Sequence, residues 1–357
     1  MSHIIDSWQW FWETCFQTIV LSHLNPEIAI SGLRTLISTQ EPDGFIGRVK
    51  FWGERSTAGL IRRVPRPDLW SLRSSRLIHP PMLPQALAKT VDSTGDAWLS
   101  VELLPALDRY YNWLADNRVP DPDGLLVIIS PHESGMAPSP SFDEVFNANG
   151  QNNGIKRSIL ERWTEIRNIV ADNDQNIATS FSPFRVKEVM VNSLYADGLA
   201  TMANLHRRNG HIEAANAYAT RAEVVTASLV EKLWDRSRGA FFSLYGEDEQ
   251  RTIPLTIASL APLILESLPR ENAVALIERH LSEHNQFWTS YPVPTVAATE
   301  DSFTPRGDQM GWRGPSSVAA NWIIWLGLNR HGYHLSLIHI SEPTRPRLLS
   351  YAVFCLK

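Results

Sequence analysis

The sequence predicts an all-α protein, a closed toroid of helical hairpins, on three observations. Apolar residues recur at helical spacing in successive paired runs. Turn and helix-start residues separate the members of each pair. Hardly any segment alternates as a half-buried strand would. An open helical solenoid is the rival architecture, but it requires a fixed repeat period and the chain has none. With 357 residues and 43% apolar content, the chain can bury a large core as one α domain or two.

The elements follow in order. Trp8 to Ser22 is apolar and aromatic, Asn25-Pro26-Glu27 restarts a helix, and Glu27 to Thr39 sets Ile28, Leu33, Leu36 and Ile37 on one side. That is the first hairpin. Glu41-Pro42-Asp43-Gly44 is a turn, and Phe45 to Trp52 is a short extended stretch that displays Trp52. After His79-Pro80-Pro81, a helix over Met82 to Lys89 pairs with Leu99 to Leu114 across a break from Asp92 to Gly95. Leu125 to Ile129 is a strand-like run, and Ser130 to Phe142 is a Pro/Ser/Gly-rich loop too long for a simple connector. Lys187 to Asn209 and His211 to Leu233 form a further hairpin around Asn209-Gly210. Gly239 to Leu244 is a short extended piece, Ile257 to Leu268 and Glu271 to Leu281 make another pair, and Ser317 to Leu328 is helical after a long irregular connection.

Composition excludes several function classes. The net charge of −5, without a block of Lys or Arg, offers no footprint for nucleic acid or an acidic membrane surface. Two cysteines, Cys15 and Cys355, cannot build a disulfide framework, and no Cys/His cluster has zinc-ligand spacing. No export signal follows Met1 and the apolar run Ile19 to Leu24 is too short to span a bilayer, so a cytoplasmic location is expected. The unusual number is thirteen Trp, several beside Gly, Pro or acidic residues. Rings in loops either fill a core or make flat platforms for the C–H faces of sugars, whose hydroxyls need carboxylates, amides and Arg.

The last 23 residues, 335–357, continue no helical periodicity. Leu335 to Arg345 and Tyr351 to Leu356 resemble the conceptual translation of a sequencing-library adapter, with Pro346 to Leu349 at its variable index. The expected organisation is therefore one partial domain over 1–334 and a non-native tail over 335–357.

Four stretches carry a family likeness: WFWETCF (Trp10 to Phe16), PDGFIGRVKFW (Pro42 to Trp52), HESGMAPSPSFDEVF (His132 to Phe146) and GWRGPSSVAANWIIWLGL (Gly311 to Leu328). In order and spacing they resemble glycoside hydrolase family sixty-three. Its small bacterial members are similar to mannosylglycerate and glucosylglycerate hydrolases, and its relatives include processing α-glucosidase and trehalase. The resemblance runs from about Trp8 to about Tyr333. It implies an (α/α)6 toroid, incomplete at its C-terminal end, with a sugar site in the mouth formed by inter-helix loops and no metal or organic cofactor.

Inverting glycosidases need one protonated carboxyl for the leaving oxygen and one ionised carboxylate, roughly 6.5–9.5 Å away, to activate water. The resemblance puts the acid directly after Glu-Ser-Gly-Met, where this chain has Ala137. Alanine cannot donate a proton, and losing general acid catalysis typically costs ~10²–10⁴-fold in rate. In the same loop, Glu133 and Asp143 are the candidate substitutes, with bracing of the loop as the other role open to Glu133. The family's base is a Glu downstream of the WRGP segment and its helix, where the adapter-like text begins, so no residue is assigned to it. Trp12 and Glu13 stand where the family has Trp-Asp. Trp52 and Trp312 are candidate stacking platforms, His79 offers a polar edge, and Arg313 could orient a carboxylate or hydroxyl pair, packing being the alternative for each. The expected function is an inverting, exo-acting α-glycosidase for small α-glucosides or α-mannosides, inactive as written. A sugar-binding pseudoenzyme is the alternative, and a helical interaction scaffold fits less well because repeats are missing and Trp residues cluster in loops.

Overall fold

The computed structural model describes residues 8–52, 74–146, 184–281, 286–289, 291, 293–306 and 311–333. The adapter-like tail lies outside the described residues. Helices dominate, as the periodicity predicts, and they pair as hairpins. Strand β1 (Trp8–Trp10) runs directly into α1 (Phe11–Leu24), which turns at Asn25 into α2 (Pro26–Ile37). Asn25 accepts the Ile28 N–H at 3.3 Å, and Pro26 occupies the first turn, where a missing N–H leaves nothing unbonded. Strand β2 (Val49–Phe51) pairs antiparallel with β1, Trp10 opposite Val49.

The second hairpin is α3 (Leu83–Thr94) and α4 (Ala97–Arg118). Gly95, at φ 71°, ends α3 in the left-handed conformation that favours glycine, and Asp96 caps α4 through the Leu99 N–H. Strand β3 (Val186–Lys187) leads into α5 (Val189–Arg208), capped by the Glu188 carboxylate on the Val191 N–H at 2.6 Å. Its partner α6 (Ile212–Ser228) continues as a π-helical turn over Leu229–Leu233. Four two-residue strands follow, β4 (Trp234–Asp235), β5 (Ala240–Phe241), β6 (Leu244–Tyr245) and β7 (Gln250–Arg251). They form the pair β4–β5 and the small sheet β3–β6–β7.

Two sequence expectations change in detail. Ile257–Ile264 is 3-10 rather than α, since Pro262 has no N–H to sustain an α-helical ladder. It precedes α7 (Arg270–Leu276), which runs into a π turn at Ile277–Leu281. Leu125 to Ile129 is buried but not a strand: only Ile128 bridges to Val186. The Asn192 side chain takes the place of a strand partner, accepting the Leu126 N–H at 2.7 Å and donating to the Leu126 carbonyl at 2.9 Å. Helix α8 (Val318–Arg330) closes the described fold, capped by Ser317. One continuous apolar core runs from Phe11 on α1 to Leu328 on α8. Among the described residues no helix is long and apolar enough to cross a membrane.

Candidate functional site

Four sequence-distant segments converge on the first turn of α1. The Trp12 N–H, one of the helix-start donors without a helical partner, donates to His79 Nδ1 at 3.3 Å. Nδ1 therefore accepts and the ring proton sits on Nε2. Burial holds His79 well below the usual histidine range, with the Arg48 charge acting in the same direction, so the ring is neutral at physiological pH. Trp12 is 3% exposed and its indole N–H donates to Met82 Sδ at 2.7 Å. The half-buried Trp312 stacks on it, ring centroids 6.2 Å apart and planes 18° from parallel. His79 meets Trp12 edge-on at 6.0 Å.

Glu13, the next residue on α1, reaches within 3.8 Å of His79 Nδ1. Because that nitrogen is an unprotonated acceptor, the contact is not an ion pair. The Glu13 side chain is 53% exposed, yet the protein walls around it raise its pKa by stripping hydration; its own backbone amide and Arg48 oppose the rise. Arg48 is buried, lies 5.2 Å over the Trp10 ring and acts electrostatically on both Glu13 and His79. Sequence reasoning misses it. The signal available is a cation directly after Gly47 inside the Gly- and aromatic-rich stretch from Pro42 to Phe51.

The long loop after α4 packs over this cluster. Gly135 has φ +71°, and a Cβ there would fall 2.4 Å from the Trp12 ring, so only glycine lets the loop lie this close. Glu133, two residues earlier, is fully buried. Its Oε1 accepts from Arg118 Nη2 at 2.7 Å and the Ile78 N–H at 2.9 Å; its Oε2 accepts from Arg118 Nη1 at 2.9 Å and the Ile129 N–H at 2.8 Å. Both oxygens are saturated by protein donors, which is the bracing geometry. Ala137 is half-buried two residues past Gly135. Asp143 pairs with Arg313 at 2.5 Å, which ties the loop to the segment carrying Trp312. Trp52 is 48% exposed and its indole N–H donates to Gln9 at 3.1 Å; no hydrogen bond or ring contact joins it to Trp12, Glu13, His79 or Trp312.

One carboxylate group elsewhere, Asp121, Asp123 and Glu249, has the spacing to hold a cation. Two ammonium groups fill that role: Lys187 Nζ lies 2.8, 2.6 and 2.5 Å from the three, and Lys232 Nζ lies 2.7 Å from Asp123 and 3.0 Å from Glu249.

Comparison with known proteins fits this arrangement. Residues 6–347 match the family described as the mannosylglycerate hydrolase MGH1-like glycoside hydrolase domain. The chain is 25% identical to a mannosylglycerate hydrolase of Thermus thermophilus, over 93% of this chain and 84% of that protein. It is 24% identical to a glucosylglycerate hydrolase of Mycolicibacterium hassiacum, over 91% of this chain and 80% of that protein. Among solved structures, a GH63 mannosylglycerate hydrolase from Thermus thermophilus, in complex with Tris and D-glycerate, superposes with a TM-score of 0.80. Identity is 23%, covering 93% of this chain and 83% of that one. The fold is thus the six-hairpin helical toroid.

Proposed function

Because the chain belongs to the mannosylglycerate hydrolase MGH1-like glycoside hydrolase family, we propose that the cluster around Trp12 seats the terminal sugar of a small α-mannoside or α-glucoside, of the mannosylglycerate or glucosylglycerate kind, in an inverting, exo-acting site. The observation that carries this reading is the convergence of Trp12, Glu13, His79 and Trp312, drawn from three regions of the chain, onto one helix start.

The chemistry of the cluster suits a sugar. Trp312 has ring surface for a C–H face. His79, neutral with its proton on Nε2, is a hydrogen-bond donor beside the acceptor Glu13, and a donor next to an acceptor matches the paired needs of neighbouring hydroxyls. Asp143 is committed to Arg313 and Glu133 to Arg118, so both carboxyls serve the frame of the loop. Neither offers a proton to a glycosidic oxygen. Position 137 is where that proton would come from, and the methyl group of Ala137 favours a second reading, a chain that binds the glycoside and turns it over ~10²–10⁴-fold more slowly than one with a carboxyl there.

Titration calorimetry with mannosylglycerate and glucosylglycerate, alongside release of free hexose, tests both. The expected result is binding that Trp312→Ala abolishes, with turnover that Ala137→Asp raises. If neither compound binds, the site assignment fails. If the parent chain already hydrolyses as fast as Ala137→Asp, position 137 has no part in proton transfer.

A further inference from the structure

A second groove, of about 880 Å³, lies between the end of α6, the π turn at Leu229–Leu233 and the start of α7, and it shares no residue with the Trp12 cluster. This is within the range of roughly 300–1,000 Å³ in which small-molecule sites fall. Val230, Pro269 and the half-buried Trp234 give it apolar surface. Trp234 is held by the β4–β5 pairing, its ring 4.8 Å from that of Phe241. Three exposed carboxylates, Glu223, Glu231 and Glu271, and the exposed Arg236 line the same groove, and none of them makes an ion pair among the described residues.

The decisive residue is Asn272. It is 4% exposed and its side-chain amide has no hydrogen-bond partner among the described residues, although it lines the groove. The amide atoms are not among the buried polar atoms that lack a partner, so they keep contact with solvent where Asn272 lines the groove. A ligand that supplies both a donor and an acceptor takes the place of that solvent.

We propose that this groove is a second binding site, for a neutral oligosaccharide. The Trp234 ring supplies a stacking surface, Asn272 and Arg236 donate to hydroxyl oxygens, and the three Glu accept hydroxyl protons. An anionic ligand would meet the three carboxylates. The side chains of a cationic peptide would meet Arg236 and accept nothing from the Asn272 donor. The argument stands on this groove alone and does not depend on the reading of the Trp12 cluster.

The test is calorimetry and saturation-transfer NMR of the full chain with maltotriose and with α-1,2-linked mannotriose at millimolar concentration, using tetralysine as the cationic control. At least one trisaccharide is expected to bind, and to go on binding when Trp312→Ala has removed the first site. Trp234→Ala is expected to abolish that remaining binding, and Asn272→Ala to weaken it about tenfold, the worth of one or two neutral hydrogen bonds. Asn272→Ala should leave thermal stability unchanged, because the side chain makes no hydrogen bond among the described residues; a purely structural role would lower it. Should circular dichroism show Trp234→Ala misfolded, the Asn272→Ala result decides. The proposal is overturned if neither trisaccharide binds the Trp312→Ala chain, if Asn272→Ala binds as tightly as its parent, or if tetralysine binds and the trisaccharides do not.

Discussion

Changing Glu133 to Gln separates a structural carboxylate from a catalytic one. Glu133 is fully buried, and its two oxygens accept four hydrogen bonds, two from Arg118 and one each from the Ile78 and Ile129 amides. Glutamine keeps the shape but turns one oxygen into an NH2 group facing two donors, so two bonds are lost and the buried guanidinium has no counter-charge. Breaking a buried ion pair from one side costs about 3–5 kcal/mol. Urea unfolding followed by far-UV circular dichroism should therefore show a lower midpoint for Glu133→Gln at unchanged slope, equivalent to that loss. Arg118→Met should cost a similar amount. The double variant should cost clearly less than the sum, because each single change already removes the shared interaction. A Glu133→Gln protein within about 1 kcal/mol of its parent, with turnover reduced, would refute the bracing argument and return Glu133 to the chemistry.

Three further outcomes follow from the geometry. Gly135→Ala forces an L-residue to φ +71° and drives a methyl group into the Trp12 ring, so it should cost at least about 1–3 kcal/mol and alter the near-ultraviolet dichroism of the stacked indoles. Asp143→Ala and Arg313→Ala, singly and together, should show a coupling of about 0.5–3 kcal/mol in thermal or urea unfolding; simple additivity would mean that the 2.5 Å pair does not join the loop to the Trp312 segment. Burial pushes the Glu188 carboxyl up to about 7, opposed by the Val191 and Met190 amides. The folded state then holds this proton where the unfolded chain has lost it, so stability falls as pH rises from the ordinary glutamate range through about 7, by roughly 3 kcal/mol in full. Glu188→Gln should flatten that slope and be the more stable protein at pH 8, as thermal melts across the range would reveal.

The hairpins are readable because their signals are local. Asn25-Pro26, Gly95 and Asn209-Gly210 each fix a helix end by their own backbone chemistry, and the helices break there. Leu125 to Ile129 misleads because five apolar residues in a row look alike whether their backbone partner is a strand or, as here, the amide of Asn192 from 66 residues on. Within the site, Trp12, Glu13, His79 and Trp312 can be named from motifs, but not their arrangement. Arg313 meets Asp143 across 170 positions, and no single chain carries a signal for such a pairing. Arg48 escapes notice for a related reason: a buried cation looks like any surface arginine until the rings around it are placed.

The stack of Trp12 on Trp312 also has a meaning in time. The two residues are 300 positions apart, and beside them Phe16 on α1 packs edge-on against Trp322 on α8 at 5.7 Å. A ribosome adding about 5–20 residues per second needs roughly 15–60 s to supply the second ring after the first has emerged. Throughout that interval α1 presents Trp12 and Phe16 without Trp312 and Trp322. The Trp12–Trp312 contact is thus among the last that the described helices can make as the chain is synthesised.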